Sequence, residues 1–364
     1  MTSTSTLKSE FLICLEYSRK VLAKQVGEYQ DAERIFKGAA LTLYYVEKYA
    51  QMIGYNMQPV DRERAVYVGG LIDPYDSTID QVKIDEALVS CIRFFRVLNT
   101  GEFTPANKRE NVFVNLYSTL IQILPPKEHD NFYTLLAIMH MVESVAILQK
   151  RGSGHIIEMP EKEYISPLSN DLLRQVMEMK GGLSLLLFSA LIDDNIQLEP
   201  GFNQYKLDSE IGLKRRIRAY VCEGKPLFEL QTPISELVYS MGNYIQAMDD
   251  LRDVTEDHAG DIETYTQRVG TIKALLTAKN FRRQIVDQTS RSFDKEQANI
   301  FLMYADFYFA RTIGIAIKRD VTKYASYILK MGHALILPFQ FIYNSLVWKP
   351  HRYFSGDNHL RKYS

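Results

Sequence analysis

Two acidic clusters, far apart in the chain, hold the residues best suited to chemistry. One is Asp73-Pro74-Tyr75-Asp76-Ser77-Thr78-Ile79-Asp80, the other Asp249-Asp250-Leu251-Arg252-Asp253-Val254-Thr255-Glu256-Asp257. Each contains an Asp-x-x-x-Asp pair, Asp76/Asp80 and Asp253/Asp257. On a helix, side chains four apart share a face, with about 6 Å between their bases. Carboxylates in such a row are hard oxygen ligands, and Mg²⁺ bound to them keeps positions for phosphate oxygens. Two rows facing each other could hold a cluster of these ions and draw a diphosphate off carbon. For either cluster alone, a solvated acidic helix face is the competing reading.

The flanking pattern favours the first reading over the second. Ile234, Val238, Met241 and Ile245 form an apolar stripe at helical period, and Asp249, Asp253 and Asp257 continue it. Val66 and Gly70 lead in the same way to Asp73, Asp76 and Asp80, and the line resumes with Ile84, Leu88, Cys91 and Phe95. The aspartates therefore replace the core-facing stripe. Buried carboxylates this close together are costly unless cations or donors face them. Asp73 precedes Pro74, so it also reads as an N-cap of a helix restarted after Gly69-Gly70. Asp250 lies about 100° around the helix from Asp249, which suits indirect metal contact or a neighbouring helix. Glu256 lies off the stripe.

The elements that must position these residues read as helices. Helical period covers roughly 8–25, 31–53, 62–97, 108–123, 129–150, 171–192, 209–222, 233–258, 265–292, 294–318 and 320–347. Turn chemistry falls at Pro125-Pro126, from Arg151-Gly152 to Pro167, and at Glu199-Pro200-Gly201. There is no repeat and no linker rich in Pro, Gly or Ser, so the expectation is one all-α domain over 1–364. A net charge of −1 argues against nucleic-acid binding. The three cysteines have no metal-ligand spacing and fit a reducing cytoplasm. Met1–Thr6 runs into Lys8 and Glu10, which is not a secretory-leader pattern. The apolar run Met331–Trp348 carries His333, Pro338, Gln340 and Asn344 and reads as a buried helix, with peripheral membrane contact as the alternative.

Asp249-x-x-x-Asp253-x-x-Glu256-Asp257, followed by Gly260-Asp261, resembles the second metal motif of the large class I terpene synthases, the tetraprenyl-β-curcumene synthase-like enzymes of bacteria. Asp73-x-x-Asp76-Ser77-x-x-Asp80 resembles that family's first motif, with Ser77 where Asn is usual. Leu251-Arg252-Asp253-Val254-x-Glu256-Asp257 is also similar to the squalene and phytoene synthases. The resemblance implies the class I isoprenoid synthase fold, a helical bundle around a central apolar cavity. It implies Mg²⁺ in a three-ion cluster held by Asp76 and Asp80 from one side and Asp249, Asp253 and Asp257 from the other. It implies a prenyl diphosphate substrate, ionised to an allylic cation that cyclises or loses a proton. The alternatives are a prenyltransferase that passes the cation to a second prenyl diphosphate or another acceptor, and a non-catalytic helical binding protein.

Other residues join this picture as candidates. Lys180, ahead of Gly181-Gly182 on an apolar helix, is placed to bind diphosphate, and the glycines read either as substrate-pocket lining or as close helix packing. Arg215, in the run Lys214-Arg215-Arg216-Ile217-Arg218, reads as a diphosphate ligand or a solvated basic face. Arg352-Tyr353 resembles the Arg-Tyr pair that closes some terpene cyclases. The 23 Tyr and 18 Phe suit a cation-stabilising pocket and equally an ordinary core. His129-Asp130 lacks the further ligands of an all-α metal phosphohydrolase.

Overall fold

The computed structural model describes residues 4–80, 83–100, 104–124, 126–149, 169–201, 210–259, 262–306 and 312. The described chain is an all-α bundle. Its helices are α1 (Thr4–Val26), α2 (Ala32–Ile53), α3 (Pro59–Asp80), α4 (Ile84–Thr100), α5 (Lys108–Ile123) and α6 (Pro126–Ala146). They continue as α7 (Asn170–Ser189), α8 (Glu210–Glu223), α9 (Pro233–Ala259), α10 (Tyr265–Val269) and α11 (Thr271–Ser292), with a further helical stretch over 295–306.

Each helix is built on the apolar period that marks it in the sequence. In α2, Ile35, Ala39, Leu43, Val46 and Ala50 are buried at helical spacing. The helix stops at Gly54, whose positive φ lets the chain turn back and satisfy the last carbonyls. Helix α7 starts on Ser169, whose side chain accepts from the Leu172 amide. Packing joins α1, α2, α3 and α5 on one side, and α6, α7, α9, α10 and α11 on the other. The two groups meet where α7 touches α2 and α3, and one contiguous apolar cluster runs through both.

Four features depart from the expectations. The single helix expected over 62–97 is two, α3 and α4, with Lys83 outside both. The helix expected over 265–292 breaks at Gly270, which has φ +82° and separates α10 from α11. Pro74 lies inside α3, so Asp73 is a mid-helix residue and not an N-cap. Strands β1 (Leu198–Pro200) and β2 (Phe228–Leu230) form a short antiparallel pair, each too brief to leave an alternating pattern. The expected helix over 320–347, the apolar run Met331–Trp348, and Arg352 and Tyr353 lie outside the described residues. No helix of the described chain is long and apolar enough to cross a membrane.

Candidate active site

The site is set by how closely α7 and α9 approach. A Cβ at Gly181 would strike the Gly242 carbonyl and lie 2.5 Å from Gln246 Cβ, and one at Gly182 would strike the Tyr239 ring. Both glycines are thus accounted for by helix packing, and neither lines the apolar cavity described below. The contact fixes the rotation of α9. The row Gly242, Gln246, Asp250 turns toward α7, and Asp250 becomes the deepest of the described carboxylates of its cluster. Asp249 and Asp253 are partly exposed, with side-chain accessibilities of 35% and 26%. The sequence stripe through Asp249 was therefore about one residue out of register with the buried face.

Lys180, one residue before the glycines, pairs with carboxylates of α6 and α3. Its Nζ lies 3.2 Å from Glu143 Oε2 on α6 and 3.7 Å from Asp76 Oδ1 on α3. Its charge also acts on Asp250 and Asp257 of α9. Its ion pairs thus join α6 and α3, and its charge lowers the pKa of both α9 carboxylates. Burial pushes Asp250 up to about 7, against the Gln246 Nε2 bond to its Oδ1 at 2.9 Å; Asp249 and Asp253 add to the rise, and Lys180 opposes it. Burial, with Asp250, Asp253 and Asp249 nearby, pushes Asp257 up to about 8. Glu143 is also raised by burial, against the pull of Lys180. Sequence reading missed Glu143, because a lone Glu on an apolar helix has no partner at local spacing to mark it.

Arginines grip several of the remaining aspartates. Asp73 is buried and paired with Arg34 of α2. Burial pushes Asp73 up to about 6 despite Arg34, and Asp76 adds to the rise. Arg252 reaches Asp249 Oδ1 at 2.7 Å and holds Asp253 through Nε at 2.7 Å and Nη2 at 2.5 Å. The side chains of Asp80 and Glu256 lie outside the described residues. Among the described residues, no three His, Cys, Asp or Glu side chains converge to hold one ion in this arrangement. The donor chemistry still suits Mg²⁺. Every candidate ligand is a carboxylate oxygen, and the neighbouring aspartates add to the rise that burial causes in Asp250 and Asp257.

An apolar cavity of about 30 Å³ lies beside this cluster, lined by Val68, Leu71, Ile72 and Tyr75 of α3 together with Phe94, Phe113, Leu136, Met139, His140 and Leu187. Tyr75 is the neighbour of Asp76 in sequence, so one turn of α3 carries both a cavity wall and a member of the first acidic cluster. Phe94 and Phe113 meet edge to face at 4.5 Å, and Tyr75 lies 5.1 Å from Phe94. Burial lowers His140 to about 4, keeping it neutral. Its Nε2 lies 2.6 Å from the Cys91 carbonyl and so carries the proton, leaving Nδ1 to accept from the Tyr75 hydroxyl. The cavity has room for about one water, far below the roughly 300 Å³ at which ligand pockets begin, so any ligand of ordinary size requires its walls to part.

Arg215 is exposed on α8, and its neighbour Arg216 is the buried one, donating from Nη2 to the Pro226 carbonyl at 3.0 Å. Arg215 has no charge contact with the acidic clusters among the interactions described.

No protein-family model and no curated protein matches this chain. A solved structure described as an isoprenoid synthase family member from Thermotoga neapolitana is similar, with a TM-score of 0.41 and 12% identity, over 80% of this chain and 96% of that chain. So loose a likeness decides nothing about chemistry.

Proposed function

We propose that this chain is a Mg²⁺-dependent class I isoprenoid synthase that ionises an allylic prenyl diphosphate, releasing pyrophosphate and a cyclic or linear terpene. The observation that carries the reading is the Lys180 ion pair with Asp76 of the first cluster, its charge acting also on Asp250 and Asp257 of the second, with Tyr75 of the aromatic cavity adjoining Asp76 on α3.

In this reading Asp76 and Asp80 hold cations from α3, and Asp249, Asp253 and Asp257 from α9. Bound Mg²⁺ supplies Lewis-acid charge to the departing diphosphate. Lys180 adds a fixed positive charge where negative charge develops. Arg252 must release Asp249 and Asp253 for them to act as ligands, which frees its guanidinium for phosphate oxygens. Tyr75, Phe94 and Phe113 present ring faces to the isoprenoid cation and exclude water from it. The prenyl diphosphate is the partner, and the whole chain works as one domain.

The test is incubation of purified protein and Mg²⁺ with geranyl through heptaprenyl diphosphates, one at a time, with pyrophosphate and hydrocarbon both measured. One substrate alone gives a hydrocarbon, and Asp80→Ala and Asp253→Ala each abolish it while helical content stays intact. Turnover that needs a second prenyl diphosphate selects the joining reaction instead. Absence of pyrophosphate release from every substrate refutes both.

A further inference from the structure

Lys180 faces a conflict that the resemblance to known enzymes does not address. Its ammonium group lies within ion-pair distance of Asp76, which the proposed reaction needs as a metal ligand. A lysine that settles on Asp76 competes with the divalent cation for the same oxygens. The structure places a second carboxylate, Glu143, on the far helix, at 3.2 Å against 3.7 Å for Asp76. Glu143 has a side-chain accessibility of only 5%, against 33% for Asp76. Water screens the Asp76 contact more than the Glu143 contact, so the buried partner has the stronger hold.

We propose that Glu143 is a positioning residue that holds the Lys180 ammonium closer to itself than to Asp76, limiting its competition with divalent cations at the first acidic cluster and keeping the lysine ready for the diphosphate. This rests on the function proposed above and deepens it. Glu143 comes from α6, Lys180 from α7 and Asp76 from α3, so the device depends on three helices being packed correctly. It does not make Glu143 a metal ligand. Its effect passes through Lys180 alone.

That last point makes the proposal testable without turnover. Mn²⁺ binding to the substrate-free protein is followed by electron paramagnetic resonance for wild type, Glu143→Gln, Lys180→Met and the double variant. Glu143→Gln lets the lysine move to Asp76 and weakens Mn²⁺ binding by about tenfold, within the range of coupling between contacting charges. With Met at position 180 there is no ammonium to park, and the same Glu143→Gln change alters binding by less than about twofold. Glu143→Asp retains a carboxylate and recovers part of the affinity. Thermal melts of all five proteins check that each is folded. An equal loss in both backgrounds makes Glu143 a ligand or a purely structural residue and overturns the proposal, as does no loss in either. Failure of the underlying functional reading has a different signature, wild type that neither binds Mn²⁺ nor releases pyrophosphate.

Discussion

Asp250→Asn is the substitution that best probes the electrostatics of the metal-free site. Burial, with Asp249 and Asp253 adding, pushes Asp250 from 3.8 up to about 7. At about 1.36 kcal/mol per pH unit, ionised Asp250 costs the fold on the order of 4 kcal/mol. Asp257 titrates in the same range and shares protons with it, so removing one charge recovers less, about 2 to 4 kcal/mol. A raised carboxylate means the native state binds more protons than the unfolded chain between the two pKa values. Stability therefore falls as pH rises from 3.8 toward about 7, and the cost is fully present above that. Asparagine keeps the shape, and its carbonyl still accepts from Gln246. In urea unfolding with a chelator present, the variant's advantage over wild type is about 1 kcal/mol near pH 4.5 and about 2 to 4 kcal/mol near pH 8.5. Added Mg²⁺ stabilises wild type more than the variant at the higher pH. A gap that stays constant or narrows with pH refutes this account of the cluster.

Gly181→Ala drives a methyl group into the Gly242 carbonyl of α9 and lowers stability by about 3 kcal/mol or more in denaturant unfolding. Gly38→Ala, where the nearest atom is at 3.4 Å, costs much less and serves as the control. Tyr75→Phe strips His140 Nδ1 of its donor in a buried setting and costs about 1 to 3 kcal/mol, read by the same method. Met139→Ala enlarges the apolar cavity, lowers stability by about 2 to 5 kcal/mol, and shifts the substrate preference toward longer prenyl chains by mass spectrometry of products. An unchanged preference in a folded Met139→Ala protein removes the cavity from the substrate path.

Local spacing already contained the helices and the paired carboxylates. The Asp76/Asp80 and Asp253/Asp257 pairs and the stripes leading into them are legible because helix period is a property of nearby residues. Breaks were less legible. Lys83 and Gly270 interrupt segments whose apolar period continues across them, so the pattern alone joined α3 to α4 and α10 to α11. Asp73 before Pro74 resembled a helix start, but packing against α2 and the Arg34 pair hold it inside α3.

The rest of the site belongs to tertiary structure. The choice of Asp250 over Asp249 as the buried carboxylate depends on the rotation of α9, which the Gly181–Gly242 contact fixes. The Glu143–Lys180–Asp76 arrangement joins three helices whose residues are not neighbours in sequence. Electrostatic coupling acts through space and steeply with distance, so no spacing along the chain could announce it. The sequence supplied the carboxylates and the period that aligns them. Folding decided which lysine they share and how deeply each is buried.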